Sequence, residues 1–207
     1  MIQGRWPGPR NESIFMKPLC HNPPLEAPAE TWSKAWLFAA ERHQGQGYPS
    51  TDLPYLVHLG AVVLELIPAL PGLEAGLAVS CAILHDTLED TETSPEDLNA
   101  HFGPSVRDGV MALTKNPALK GLAAMRDSLD RIKRQPKEIW AVKLADRAAN
   151  LGPKPRHWSL EKVSAYAREG ELIHQELSAA SPILARRLLD RIDRWKTASD
   201  LDGLTGL

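Results

Sequence analysis

An uninterrupted apolar segment constrains the fold of this chain more than any other feature of its sequence. Residues 75–84 read AGLAVSCAIL, in which Ser80 is the only polar side chain. A helix that is apolar on every side has to be buried on every side, so the segment predicts the central helix of a helical protein. The string HDTLED (85–90) follows directly, and we expect its ionisable side chains to emerge at or near the core.

Helical spacing of apolar residues continues over most of the chain from Thr31 onward. Helices are expected over 55–67, 73–90, 118–134 and 137–151, with breaks at YPSTDLP (48–54), Asn116-Pro117 and GPKPRHW (152–158). Ser94, Ser159 and Ser181 stand where N-caps are expected, and Asp97 takes the third helical position after Ser94. Strand patterns are scarce, so the sequence predicts an all-α bundle of about 8 to 10 helices.

The domain organisation follows from the position of the prolines. Six of the 17 prolines fall within residues 1–30, which predicts a flexible Pro-rich N-terminal lead. The remaining stretch, 31–207, has the length and apolar content of one globular domain, since hydrophobic residues make up 43% of the 207-residue chain.

Charge and cysteine usage exclude several classes of protein. The net charge is −2 and no Lys/Arg run occurs, so we expect no nucleic-acid partner. The two cysteines, Cys20 and Cys81, lie in dissimilar surroundings, which favours a reducing compartment over a disulfide framework. No apolar segment approaches the ~18–20 residues of a membrane span. We expect a cytoplasmic protein without a membrane partner, and no feature of the sequence fixes its oligomeric state.

The HDTLED string predicts a cation site. His85 and Glu89 are four residues apart, as are Asp86 and Asp90, so in one helix all four project over roughly one side of a single turn. Three carboxylates this close repel one another, and no Lys or Arg occurs between residues 75 and 106. A divalent cation is the natural partner, although a solvated helix end is the alternative interpretation.

Two further polar residues are expected to face the core. Asp146 falls on the apolar stripe of IWAVKLADRAANL, and His58 lies inside the apolar segment PYLVHLGAVV. A buried acid needs a partner, so Asp146 is either a ligand or the partner of Lys143 or Arg147. His58 is either a ligand or an ordinary core histidine.

Two histidines and two aspartates together offer a mixed nitrogen and oxygen ligand set. Such a set suits Mn²⁺, Fe²⁺ or Zn²⁺ better than Ca²⁺, and Mn²⁺ best where water and carboxylates complete an octahedron. The remaining histidines are interpreted as surface, capping or structural residues: His21, His43, His101, His157 and His174.

Five strings in order along the chain carry a resemblance to a known family. They are AAERHQGQ (39–46), PYLVHLGAV (54–62), AILHDTLEDTETS (82–94), HFGPSVRDGV (101–110) and VKLADRAANL (142–151). Together they resemble the HD-domain phosphohydrolases, and more closely the hydrolase domain of the RelA/SpoT alarmone enzymes and the stand-alone small alarmone hydrolases.

The resemblance implies an HD-type helical bundle with a single central metal site that holds one Mn²⁺, although other divalent transition metals could serve. It implies that the metal ligands are His58, His85, Asp86 and Asp146, and that Glu89 and Asp90 activate or position the attacking water. The implied reaction is hydrolysis of the 3′-diphosphate of (p)ppGpp-type alarmones by a metal-activated water, which releases pyrophosphate and a 5′-nucleotide.

Departures from the family pattern concern the base. The family string HxGQxRK is HQGQGYPS here, so Tyr48 replaces the arginine that stacks on guanine and Pro49 replaces the following lysine. A tyrosine can stack on a purine but lacks the forked donors of arginine, which keeps both (p)ppGpp and (p)ppApp open. Tyr55 and Asn150 fit ribose or phosphate contacts, and Lys143 either offsets phosphate charge or lies at the surface.

Two other functions remain compatible with the sequence. One is a broader HD phosphohydrolase that acts on other phosphorylated nucleotides, including NADPH. The other is a catalytically silent domain that binds a nucleotide and regulates a partner, against which the presence of Glu89 and Asp90 argues.

Overall fold

The computed structural model describes residues 26–49, 51–152 and 157–204, with side chains for 29–49, 51–152 and 157–197. These residues form nine longer α-helices, a single α-helical turn, and the two 3-10 helices Ile67–Gly72 and Ser178–Ala180. The α-helices are α1 (Glu26–Arg42), α2 (Leu56–Leu66), α3 (Ala75–Leu84), α4 (Thr87–Asp90), α5 (Pro95–Phe102), α6 (Pro104–Leu113), α7 (Gly121–Ile132), α8 (Lys137–Asn150), α9 (Leu160–Leu177) and α10 (Pro182–Leu204). The expected all-α class is confirmed. Among these helices, none combines the length and apolar character that a bilayer crossing requires.

The first helix begins earlier than the expected domain boundary. Helix α1 starts at Glu26 rather than Thr31, with Pro28 in its first turn, where the missing N–H of proline removes no helical hydrogen bond. Residues 1–25 of the proline-rich lead lie outside the described part of the chain. The division into a lead over 1–30 and one domain over 31–207 therefore stays a prediction.

Side-chain caps begin the helices where the sequence expects them. Ser94 and Asp97 form a reciprocal capping box at the start of α5, in which the Ser94 hydroxyl accepts a hydrogen bond from the Asp97 amide. The Ser159 hydroxyl caps α9 by accepting from the Lys162 amide, and Ser181 caps α10 in the same way. These caps set the boundaries of the helices that surround the core.

Helix α3 is the centre of the bundle. Residues 78–84 are all buried, and α3 packs against α1, α2 and α8, while α2 also packs against α8. Gly109 lets α6 approach the same centre closely, because a Cβ there would lie 2.5 Å from Ile139 Cδ1 and 2.9 Å from Cys81 Sγ. The expected burial of the apolar segment is thus confirmed for residues 78–84, while residues 75–77 are half-buried.

The expectation of one continuous helix over 73–90 is wrong. Helix α3 ends at Leu84, and the turn of α4 begins at Thr87. Two side chains bind carbonyls of the last turn of α3: His85 Nδ1 donates to Ala82 O at 2.9 Å and Thr87 Oγ1 donates to Leu84 O at 2.7 Å. Side chains that bind nearby carbonyls compete with the helical backbone, so His85 and Asp86 lie at a break between two helices.

A buried carboxylate fastens the last helix to α2. Glu65 accepts a hydrogen bond from Arg187 Nη2 at 2.9 Å and another from Arg191 Nη2 at 3.0 Å. Burial raises the pKa of Glu65, but the two guanidinium groups together lower it by more, so the net pKa lies below its ordinary value. The ionised form of Glu65 therefore stabilises the docking of α10.

We expect Glu65→Gln to lower the free energy of unfolding by about 1–2 kcal/mol at pH 7 and to have less effect at pH 3. The folded-state pKa of Glu65 lies below that of the unfolded chain, so its contribution is present above the unfolded value of about 4.3. It is lost as the pH falls through the folded-state pKa. Urea unfolding at both pH values measures this change. Glu171→Gln is the control, since Glu171 pairs with Lys196 at the surface; equal losses in the two variants would contradict the prediction.

Candidate metal centre and catalytic site

Three mutually packed helices bring the predicted ligands to one point. His58 lies on α2, His85 directly follows α3, and Asp146 lies on α8; all three are buried, and donor atoms of the three side chains lie within 4.8 Å of one another. Asp86 joins them, with Oδ2 2.9 Å from His85 Nε2 and 3.4 Å from His58 Nε2. All four side chains that the sequence nominated as ligands thus meet in the core.

The position of the proton on the His85 ring shows whether this side chain can bind a cation. Its Nδ1 faces the Ala82 carbonyl, which can only accept, so the proton lies on Nδ1. In the neutral ring Nε2 then presents a lone pair, and the Nε2 atoms of His58 and His85 lie 3.3 Å apart. A ligating histidine commonly donates its other N–H to a carbonyl in this way. Two imidazole nitrogens and two carboxylates facing one point fit a divalent transition metal.

Positive charge keeps the carboxylates of this cluster ionised. Burial raises the pKa of Asp146, but the charges of Lys143 and the two histidines together lower it by more, to about 2. Burial lowers the pKa of His85, but the charge and hydrogen bond of Asp86, together with Asp146 and the Ala82 carbonyl, outweigh burial and raise the pKa to about 9. Without a metal, a proton on His85 offsets part of the negative charge of the aspartates; a divalent cation would take over that role.

Three of the predicted substrate contacts bind the ligand carboxylates instead of pointing into open space. Tyr55 donates its hydroxyl to Asp86 Oδ2 at 2.5 Å. Asn150 Nδ2 donates to Asp146 Oδ1 at 2.5 Å, and Lys143 Nζ donates to Asp146 Oδ2 at 3.0 Å. These contacts orient the two aspartates, as groups around metal ligands commonly do.

The structure shows which basic residue pairs with Asp146. Lys143 is only 6% exposed, so its interpretation as a surface residue is wrong, and its ion pair with Asp146 is present. Arg147 pairs with Glu169 instead, at 3.1 Å, with its guanidinium carbon 4.0 Å from the centre of the Tyr166 ring. One Asp146 oxygen therefore contacts Lys143 while the other faces the two histidines.

The fourth predicted substrate contact, Tyr48, lies against a metal-site residue. Its half-buried ring stacks on the His58 ring with centroids 5.8 Å apart and planes 17° apart. Its backbone N–H donates to Leu53 O at 2.7 Å, which holds the turn that carries it. Contact of Tyr48 with a purine stays a prediction.

Glu89 and Asp90 each bind a partner from a distant segment of the chain. Glu89 accepts from the backbone N–H of Lys115 at 3.1 Å and from Lys115 Nζ at 2.7 Å. Asp90 Oδ2 accepts from Gln46 Nε2 at 3.1 Å. The expectation that His85, Asp86, Glu89 and Asp90 share one side of a single turn is met only in part. The Asp90 amide donates to Asp86 O at 2.9 Å, so these two aspartates lie one helical turn apart, whereas His85 is buried and Glu89 and Asp90 are exposed.

A cleft adjoins Glu89 through its lysine partner. It has a volume of about 660 Å³, and Leu88, Lys115, Asn116 and Arg134 are among the residues that line it. That volume falls in the range of small-molecule sites. Three cationic side chains (Lys115, Arg131 and Arg134) and two carboxylates (Asp108 and Asp127) line the cleft.

Lys115, Gln46 and His43 were missed as functional candidates. The hydrogen bond of Lys115 with Glu89 joins positions 26 residues apart, and that of Gln46 with Asp90 joins positions 44 apart. Gln46 and His43 belong to the string AAERHQGQ, so the family resemblance already marked their segment. Their individual contacts follow from packing and not from local spacing.

Comparison with known proteins identifies the family of this chain. A protein-family model described as the HD domain matches residues 35–183. The chain belongs to the HD-domain family. The matched range of this HD-domain protein contains every proposed ligand and both acidic residues of α4.

Two relatives carry the same descriptive name. The guanosine-3′,5′-bis(diphosphate) 3′-pyrophosphohydrolase MESH1 of Xenopus tropicalis is 31% identical over 157 residues, which cover 73% of this chain and 87% of that protein. The guanosine-3′,5′-bis(diphosphate) 3′-pyrophosphohydrolase of Vibrio cholerae is 31% identical over 132 residues, which cover 61% of this chain but 18% of that protein.

A solved structure extends the likeness to three dimensions. A metazoan orthologue of SpoT, which hydrolyses ppGpp and plays a role in starvation responses, superimposes with a TM-score of 0.71 at 25% identity. The superposition covers 82% of this chain and 97% of the orthologue. The HD-domain fold described above is therefore shared with a characterised member of the family.

Proposed function

We propose that this HD-domain protein is a divalent-metal-dependent 3′-pyrophosphohydrolase of purine alarmones, (p)ppGpp or (p)ppApp, with Mn²⁺ as its metal. The products would be pyrophosphate and a 5′-nucleotide. The observation that carries the proposal is the convergence of four possible metal ligands: one on α2, two at the 85–86 break and one on α8. The carboxylates of Glu89 and Asp90 follow the break within the next turn. The names of the relatives from Xenopus tropicalis and Vibrio cholerae support the choice of substrate.

The four converging side chains would hold the metal: His58, His85, Asp86 and Asp146. A bound divalent cation polarises a phosphoryl oxygen and lowers the pKa of a water molecule. Tyr55 and Asn150 keep the ligand carboxylates oriented through the hydrogen bonds described above. The protein thereby fixes the ligands before a substrate arrives, which reduces reorganisation during the reaction.

Glu89 and Asp90 would handle the water that attacks the 3′-diphosphate. They follow the ligand Asp86 within the next turn, so a carboxylate of either residue can align the water or accept its proton. Lys115 holds both oxygens of Glu89 through its amide and its ammonium group. The same ammonium group lines the adjoining cleft, where it would offset phosphate charge.

Tyr48 is our candidate for the contact with the base. The ring already stacks on His58, so a purine on its other face would extend the stack. A tyrosine offers no forked donors for the guanine edge, which is why adenosine alarmones belong to the proposal. Direct contacts of Tyr55, Asn150 and Lys143 with the substrate are retained as predictions, as is a cytoplasmic location.

We expect the purified protein to hydrolyse at least one of ppGpp, pppGpp, ppApp and pppApp when Mn²⁺ is present and to lose that activity in EDTA. Products should be separated by ion-exchange chromatography, with NADPH and ordinary nucleoside triphosphates as parallel substrates. Release of pyrophosphate from an alarmone supports the proposal. Release of orthophosphate from many nucleotides would instead indicate a broader phosphohydrolase, and nucleotide binding without turnover would indicate a silent regulator.

A further inference from the structure

A chain of hydrogen bonds runs from a buried histidine to one of the proposed water-handling residues. His43 lies at the end of α1 and is 2% exposed. Its Nδ1 lies 2.6 Å from Gln46 Oε1, and Gln46 Nε2 lies 3.1 Å from Asp90 Oδ2. We propose that His43 and Gln46 are positioning residues that orient Asp90, an inference that rests on the proposed function.

The Asp90 carboxylate fixes the direction of both hydrogen bonds in this series. The Asp90 carboxylate can only accept, so the NH₂ group of Gln46 faces Asp90. The amide oxygen of Gln46 then faces His43, and an amide oxygen can only accept. His43 Nδ1 must therefore carry a proton and donate it to Gln46. Only this arrangement makes both hydrogen bonds, so the amide of Gln46 cannot flip without breaking them.

Packing prevents the imidazole of His43 from turning. Its ring stacks on Tyr55 with centroids 4.8 Å apart and planes 25° apart. Its Nε2 is buried and has no hydrogen-bond partner among the described residues. Burying a polar nitrogen without a hydrogen-bond partner destabilises the fold. Such a nitrogen in a folded protein often reflects a functional role of the same side chain. The hydrogen bond that His43 Nδ1 donates to Gln46 would be that role.

The backbone also holds Gln46 in place. Gly45, at φ +80°, turns the chain just beyond α1, in a conformation that residues with a side chain rarely adopt. The Gln46 amide donates to His43 O at 3.0 Å, and the Gln46 carbonyl accepts from the Tyr55 amide at 3.0 Å. The side chain of Gln46 therefore leaves a backbone that is fixed on both sides, which suits a residue that orients another.

His43→Asn and His43→Leu form a matched pair that tests this inference. An asparagine amide can occupy the position of Nδ1 and donate to Gln46, whereas leucine cannot donate, and both variants lose the ring that stacks on Tyr55. We expect kcat for the alarmone that the wild-type protein hydrolyses to fall about 10- to 100-fold in His43→Leu and Gln46→Leu. In His43→Asn it should fall less than about threefold, with KM nearly constant in all three. Gln44→Leu, an exposed change in the same turn, should leave kcat unchanged.

Equal values of kcat in His43→Asn and His43→Leu would overturn the inference, because packing alone would then account for the loss. Metal content and the unfolding midpoint of each variant show whether it is folded and loaded. NMR of the wild-type protein with ¹⁵N-labelled histidine provides a readout that does not depend on activity. A proton on Nδ1 of His43 is expected, and a proton on Nε2 alone would overturn the inference. An inactive wild-type protein with the Nδ1 proton would defeat the proposed function and leave the hydrogen-bond chain established.

Discussion

Glu89→Gln is expected to lower kcat for alarmone hydrolysis about 100- to 10,000-fold while the metal and the fold remain. Glutamine keeps the size of the side chain and can still accept from the Lys115 amide, which binds Glu89 in the wild-type protein. It cannot take a proton from water at neutral pH, which is the role assigned to Glu89. Asp90→Asn should have an effect of the same order for the same reason. Steady-state kinetics at saturating Mn²⁺, together with metal analysis, measures both.

Glu92→Gln is the matched control for these two variants. It removes the same charge a few residues along the chain, and Glu92 is exposed and has no hydrogen-bond or ion-pair partner among the described residues. Turnover in Glu92→Gln should equal that of the wild-type protein. Glu89→Gln or Asp90→Asn with the same turnover as this control would refute the catalytic role of the residue concerned.

Asp146→Asn is expected to lower the affinity for Mn²⁺ at least about 100-fold and to abolish turnover at metal concentrations that saturate the wild-type protein. The substitution keeps the shape of the side chain but replaces a charged ligand with a neutral amide. It also leaves the ammonium group of Lys143 buried 3.0 Å from an uncharged partner, which costs stability. Isothermal titration with Mn²⁺ and urea unfolding measure the two effects.

Lys143→Met separates the two effects of Asp146→Asn. It removes a positive charge that opposes a second cation at the Asp146 carboxylate, so the affinity for Mn²⁺ should stay the same or rise. The double variant Asp146→Asn/Lys143→Met should recover stability relative to Asp146→Asn without recovering metal binding. A loss of Mn²⁺ in Lys143→Met as large as in Asp146→Asn would contradict the assignment of Lys143 to the surroundings of the metal.

The ligand set illustrates what sequence patterns predict well. His58 and Asp146 stand on apolar faces of helices, and His85 and Asp86 follow the most apolar segment of the chain. Burial of an isolated polar group is costly, so each position already indicated a partner in the core. The packing of α2, α3 and α8 then brought the side chains together.

The surroundings of Glu89 and Asp90 illustrate what sequence patterns miss. Helical periodicity places residues four apart on one face, but it cannot show that the Thr87 hydroxyl binds the Leu84 carbonyl at the end of α3. The partners Lys115 and Gln46 come from distant segments, so no local spacing contains them. The structure therefore added the break at 85–86 and the side chains that hold Glu89 and Asp90.

The segment that joins α1 to α2 carries Tyr48 and also contacts several parts of the site. Tyr48 stacks on His58, Tyr55 binds Asp86, and Gln46 binds Asp90. Substitutions among residues that share such contacts have non-additive effects. An arginine introduced at position 48 to favour guanine would also remove the ring against His58. A substitution in this linker that changes the base preference would therefore also disturb the metal centre. The linker between α1 and α2 cannot change its base contacts independently of the metal ligands.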